Sequence, residues 1–224
     1  MKPDAHEDAR YRKGDYNTID LEERLMFRLL QRSAEAMELS PEAMRVLDLG
    51  CGNGNTAKRL LAQGYQVKGL DFSAVAVEKA KKNGVEALVC NLDEGIPEPD
   101  NRYHIAWAGD VLEHVFDPIG LLAEIQRILL PGGYLLVTIP SDVGIVSRVK
   151  MLFGISHQEQ MYRTSGFYKH HTFFSPSLIR YMLERAALRE VDFQRVLILG
   201  ARHRAMPPVP APFFNEMVIR AQKA

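Results

Sequence analysis

The chain has 224 residues, enough for one domain with a sizeable core and too few for a second independent one. Hydrophobic residues make up 46% and charged residues 25%, an ordinary globular balance, and 28 basic side chains offset 28 acidic ones, so extended nucleic-acid binding is not expected. Two cysteines, Cys51 and Cys90, rule out a disulfide scaffold, and with no Cys-x-x-Cys pair to suggest zinc they fit a reducing, cytoplasmic setting.

The first fifteen residues are crowded with charge and read as no secretory signal. No stretch approaches the roughly 18 consecutive apolar residues of a membrane span, so membrane contact would be peripheral. Leu21, Leu25, Met26, Leu29 and Leu30 recur at helical spacing within 19–37, and Ser40-Pro41 ends that helix. Strands are expected at 45–49, 65–71, 85–90, 103–108 and 134–139, and helices at 56–62, 73–82 and 118–130. Pro131-Gly132-Gly133 reads as a turn before the fifth strand. This alternation predicts a doubly wound, mostly parallel, Rossmann-like sheet. A helix at 175–187, a strand at 191–199 and a last strand at 214–220 complete seven strands, with an antiparallel edge. The chain then divides into a tail and helix (1–40), a ligand-binding half (41–140), an insertion after the fifth strand (141–174) and the rest of the same sheet (175–224).

The first strand feeds Gly50-Cys51-Gly52-Asn53-Gly54, where open α/β sheets take ligands. Asp71, 21 residues after Gly50, ends the second strand and suits a ribose diol. A dinucleotide site wants Gly-x-Gly-x-x-Gly, but Asn55 stands where the last glycine belongs. Asp48 lies two residues before the first glycine. A carboxylate there is poorly placed beside a pyrophosphate and well placed beside an ammonium. The balance favours S-adenosylmethionine, converted to S-adenosylhomocysteine, over a nicotinamide dinucleotide. An oxidoreductase stays as the less favoured alternative.

Asp48-Leu-Gly-Cys-Gly-Asn-Gly54 resembles the first motif of the class I S-adenosylmethionine-dependent methyltransferases. Gly69-Leu-Asp-Phe-Ser73 resembles their ribose-binding segment, and Cys90-Asn-Leu-Asp93 their adenine-side segment. Asp110-Val-Leu-Glu-His-Val115 and Leu130-Pro-Gly-Gly133 are similar to the segments that follow. The resemblance covers about 45–140, and the whole chain looks like the small-molecule branch with the ubiquinone-type O-methyltransferases; Asn91 to Pro97 and the 148–174 stretch also resemble the methyltransferase-like proteins associated with methionine biosynthesis. It implies that the backbone of Gly50, Cys51, Gly52 and Gly54 lines the methionine moiety and that Asp48 faces its ammonium. It also implies that Asp71 binds the ribose, that Phe72 lies against the adenine, and that Asn91, Leu92 and Asp93 frame its edge. For Phe72 and Leu92 plain core packing is an equal alternative.

An oxygen acceptor needs a base to take its proton. Asp110 and His114, with Glu113 between them, follow the fourth strand, and His170 and His171 lie in the insertion. Asp110, Glu113 and His114 share one face if the chain turns helical there. Either a base among these four, Asp110, His114, His170 or His171, serves a small-molecule hydroxyl, or the trio holds a divalent cation, the less favoured reading. The trio resembles the acid-x-x-Glu-His metal motif of some ubiquinone-type and RNA 3′-end methyltransferases, with Asp in place of the usual Glu. Bracing of the turn is the plain structural alternative. The aromatic-rich 141–174 stretch reads as a cap over the acceptor or as a surface subdomain, and Ile145 to Phe153 as a bilayer contact or as a helix packed on its own domain. A cofactor-binding accessory protein is the alternative to an enzyme.

Overall fold

The computed structural model describes residues 21–156, 170–199, 204–206 and 213–224. Helix α1 (Leu21–Ala36) is followed by strand β1 (Arg45–Leu49), α2 (Asn55–Ala62), β2 (Gln66–Asp71), α3 (Ala74–Lys82), β3 (Glu86–Val89) and β4 (Tyr103–Gly109). Then come α4 (Pro118–Ile128), β5 (Leu129–Pro140), α5 (Ile145–Leu152), α6 (Pro176–Arg185), β6 (Leu188–Leu199), β7 (Arg204–Met206) and β8 (Glu216–Lys223). The sheet order is β3-β2-β1-β4-β5-β8-β6-β7. Strands β1 to β5 run parallel, and β8 is antiparallel to both β5 and β6. The doubly wound fold expected from the sequence is therefore present, with the three-residue β7 as an eighth strand.

Helices are capped where the sequence provides acceptors. Ser73 takes the Ala76 N–H at the start of α3, Asp117 the Gly120 N–H at α4, and Ser175 the Leu178 N–H at α6. Alternate strand residues face two separate cores, because successive side chains in a strand point to opposite faces. Val46, Ile105, Trp107 and Leu136 pack under α1, α2 and α3, while Leu47, Leu49, Ala106 and Val137 pack under α4 and α6. Burial on both faces is why these strands read as nearly continuous apolar runs.

Several boundaries differ from expectation, with β6 starting at Leu188 instead of 191 and β8 spanning Glu216–Lys223 instead of 214–220. Residues 131–133 lie within β5 and form no separate turn, because pairing begins at Leu129 opposite Tyr103 and shifts register before Ile105 meets Tyr134. Gly132, at φ +77°, provides the irregularity. The last strand also lies inside the sheet, between β5 and β6, which puts Glu216 beside Pro140 at the end of β5.

Candidate active site

The strand order reverses between β1 and β4, and the chain leaves both strands there on irregular turns. After β1, Gly50 sits at φ +67° with the methyl of Val111 only 2.8 Å from where a Cβ would be, so only glycine fits. The turn is tied across to β2. Asp71 accepts the Gly52 N–H through Oδ2 and the Ser73 N–H through Oδ1, each at 2.8 Å. Cys51 donates its N–H to the Leu70 carbonyl, and its side chain occupies the space that the bare Gly69 leaves.

Below this cradle Asp48 is 3% exposed, and its Oδ2 has no hydrogen-bond partner among the described residues. Burial, with the charges of Asp71 and Glu23, holds its carboxyl well above the usual carboxylate range. A cavity of about 210 Å³ opens alongside, lined by Glu22, Glu23, Met26, Cys51, Asn53, Asn55, Thr56, Arg59, Trp107, Gly109, Asp110 and Thr138. The N-terminal end of α1 thus closes one wall. Glu23 reaches α2, accepting from the Thr56 hydroxyl and from Arg59, both at 2.7 Å. A chamber lined by three acidic side chains (Glu22, Glu23 and Asp110) favours a cationic ligand.

After β4, Asp110 adopts φ +52° and Glu113 sits in a short helical turn, Leu112–His114, 1% exposed. Burial and the nearby Asp110 and Asp142 push the Glu113 carboxyl well above its usual range. The His114 and His170 rings meet edge to face at 4.9 Å, and His114 Nε2 lies 3.9 Å from Glu113 Oε1. Ligand atoms of Glu113, His114 and His170 all fall within 4.8 Å of one another. The segment carrying His170 is held there by backbone, since His171 N–H donates to the Glu113 carbonyl at 2.7 Å. His171 itself is exposed and stacks on Phe116 at 4.1 Å, away from that trio. Of the four candidate bases, the structure brings His114 and His170 together, places Asp110 on the cavity wall and sets His171 outside.

The adenine-side candidates form a second group. Phe72 and Leu92 are half-buried; Asn91 bonds Glu94 and the Asp93 N–H; Asp93 accepts the Phe116 N–H at 2.7 Å. Asp93 thereby links this edge to the turn bearing His114. The aromatic and basic stretch 157–169 of the expected cap lies outside the described residues.

A family profile described as "Methyltransferase domain" matches residues 16–191. The chain belongs to that family. Its membership in the class I S-adenosylmethionine-dependent methyltransferases accounts for the glycine cradle and the acid chamber together. Ubiquinone biosynthesis O-methyltransferase of Vibrio cholerae is 28% identical over 155 residues, 65% of this chain and 61% of that protein. Glycine/sarcosine/dimethylglycine N-methyltransferase of Actinopolyspora halophila is 29% identical over 177 residues, 75% of this chain but 29% of that protein. The chain thus spans less than two thirds of the length of these relatives. Among solved structures, a Thermotoga maritima S-adenosylmethionine-dependent methyltransferase, described as a possible histamine N-methyltransferase, is 26% identical. It has a TM-score of 0.62 and covers 91% of this chain and 92% of its own. The [4+2]-cyclase SpnF, at 21% identity and TM-score 0.61, shares the fold.

Four site residues escaped sequence reasoning. Thr138 left a signal, as a lone polar side chain in the apolar run Leu135–Ile139. Glu22 and Glu23 look like ordinary acids in a helix's first turn. Glu216, 7% exposed, arrives from the far end of the chain and gave none.

Proposed function

We propose that this methyltransferase-family chain transfers the methyl of S-adenosylmethionine to a hydroxyl of a small-molecule acceptor. The observation that carries the reading is the juxtaposition of His114 and His170 beside buried Glu113, next to the chamber edged by Asp110. When bound, the cofactor supplies an electrophilic methyl on a sulfonium. Asp48 and the Gly50–Gly54 turn hold its methionine part, Asp71 its ribose, and Phe72, Asn91, Leu92 and Asp93 its adenine side. His114 takes the acceptor's proton, with the buried Glu113 carboxyl 3.9 Å from its Nε2. Much of the rate comes from aligning the acceptor oxygen with the methyl, beside the described 170–174 segment that brings His170 to His114. The site calls for no nucleic acid, and a cytoplasmic location fits; among the described residues no helix is long and apolar enough to cross a membrane.

A second reading rests on the same trio. Glu113, His114 and His170 have the donor types and closeness that hold a divalent cation, which would lower the acceptor's pKa instead of a base removing its proton. The test of the main reading is two-part. Calorimetry with S-adenosylhomocysteine should show binding that NAD does not, and a metabolite extract incubated with S-adenosylmethionine should gain masses heavier by one methylene. Tight product binding with no new mass in any extract would turn the assignment to a cofactor-binding accessory protein.

A further inference from the structure

A second cavity, of about 540 Å³, opens away from the cofactor chamber and shares no lining residue with it. Val143, Arg148, Ser175, Pro176, Ser177, Arg195 and Phe214 line it. On β6, Phe193 packs with the α4/α6 core and Val196 with the core on the other side, so Arg195 projects on the α6 face. Two guanidinium groups therefore converge on one hollow from different elements, Arg148 from α5 and Arg195 from β6.

The two arginines are held in place by described neighbours. Arg148 donates Nε to the Val143 carbonyl at 2.8 Å and lines the hollow. Arg195 lies over the rings of Phe193 and Phe214, at 5.3 and 5.6 Å, and its buried Nε has no hydrogen-bond partner among the described residues. No described carboxylate pairs with either. Neighbouring Arg180 shows the contrast: it stacks on Phe193 at 4.4 Å and is balanced by Glu190 at 2.8 Å. Glu216, opposite Val196 in the sheet, shares that residue's face and so points away from Arg195. A guanidinium with a buried, unanswered donor is costly unless an acceptor reaches it. The same hollow holds the hydroxyls of Ser175 and Ser177, 3.0 Å apart, at the positive end of the ten-residue α6. Its other walls, Val143, Pro176 and Phe214, are apolar.

We infer that this cavity binds a phosphate monoester, with Arg148, Arg195 and the Ser175/Ser177 hydroxyls on the phosphate and Val143, Pro176 and Phe214 against an apolar body. Planar guanidinium forks suit phosphate oxygens in pairs, and two of them suit a dianion better than a carboxylate. The volume exceeds what a bare phosphate fills, which leaves room for the esterified group. The inference does not depend on methyl transfer, because the hollow lies outside the cofactor chamber and its readout is binding.

Phenyl phosphate is a suitable probe, with phenol as the control lacking the anion. Calorimetry on the full chain should show phenyl phosphate binding that weakens with added salt, while phenol does not bind. Arg148→Gln with Arg195→Gln should weaken it by about tenfold or more, the scale of losing hydrogen bonds from charged donors. S-adenosylhomocysteine affinity should stay unchanged in that variant, which separates this site from the cofactor reading and reports a folded protein. Ser177→Asp, an exposed position, gives the same loss through repulsion without touching either stack. Sedimentation with phosphatidylcholine vesicles, with and without phosphatidic acid, identifies the source. Arginine-dependent binding only to the phosphatidic acid vesicles would assign the site to a lipid headgroup, and binding to phenyl phosphate alone to a soluble ester. Absence of binding to both probes, or binding that both variants leave intact, would overturn the inference.

Discussion

Thr138 and Asp110 hold each other twice. The Asp110 N–H donates to Thr138 Oγ1 at 3.1 Å, and that hydroxyl donates onward to Asp110 Oδ1 at 2.9 Å. One buried hydroxyl thus keeps an aspartate at φ +52°, a backbone region that costs most side chains energy. The strain at the end of β4 is retained where the cavity wall turns toward Glu113 and His114.

Thr138→Val keeps the shape and removes both bonds. The expected loss is about 1 kcal/mol of stability, the scale of part-buried hydrogen bonds, since the exposed Asp110 carboxylate can turn to water and its N–H keeps the Thr138 carbonyl at 3.3 Å. Turnover should fall with it as Asp110 relaxes, whereas Thr138→Ser should keep most of both. Chemical denaturation and turnover, measured on the two variants side by side, check this; a valine variant as stable and active as the parent would remove Thr138 from the site.

Gly69 and Cys51 form a matched pair across β2 and the glycine turn. A Cβ added at Gly69 would stand 2.6 Å from Cys51 Sγ and 2.9 Å from its Cβ. Gly69→Ala should therefore cost about 1–3 kcal/mol, the range for overpacking a close-packed core. Cys51→Ala removes the sulfur, so the double variant should recover part of the loss. A thermal melt of the four proteins in the cycle reads the coupling, and strictly additive melting shifts would show that the clash is relieved elsewhere.

The elements around that pair were legible because their signals are local. Apolar runs set β1 to β5, and Ser73 and Ser175 announced their helices. Asp48, the glycines and Asp71 could be read together because β1 and β2 are adjacent in sequence and space. Long-range pairing was not legible. β5 begins at Leu129 because Tyr103 is there to pair with it, and no local residue reports that. Glu216 reaches the site only because β8 inserts between β5 and β6. The 145–153 stretch looks amphipathic in sequence, yet Met151, Leu152 and Phe153 are 62–84% exposed in the described structure.

Glu216 gives a pH prediction with a definite sign. Burial, then repulsion from Asp110, Glu113 and Glu22, raises its carboxyl well above the ordinary 4.5. A carboxyl raised in the folded state binds its proton more tightly there than in the unfolded chain. Its contribution is fully present below about pH 4.5 and is lost as pH rises toward the folded value. Glu216→Gln mimics the protonated form, so it should melt several degrees above the parent near pH 8 and alongside it near pH 4. Differential scanning across that range decides it, and a glutamine variant that melts lower at the alkaline end would mean that ionised Glu216 has a stabilising partner.

The roles of His114 and His170 separate with a chelator. If His114 is the base, EDTA leaves turnover unchanged and His114→Ala lowers it by roughly 10²–10⁴. His170→Ala should have a smaller effect, since its ring meets His114 edge to face and orients it. The pH profile should then show one limb that rises as a histidine loses its proton. If the trio binds a cation, EDTA abolishes turnover and magnesium or zinc restores it. His114→Ala and His170→Ala then both weaken metal affinity, which calorimetry with the metal alone measures without any acceptor. Asp110→Asn discriminates further, because Asp110 lies on the cavity wall, outside the Glu113–His114–His170 grouping. It should alter the Michaelis constant more than the metal affinity. Turnover within a few-fold of the parent for EDTA, His114→Ala and His170→Ala alike would leave this cluster as a brace for the turn and return the search for a base to His171.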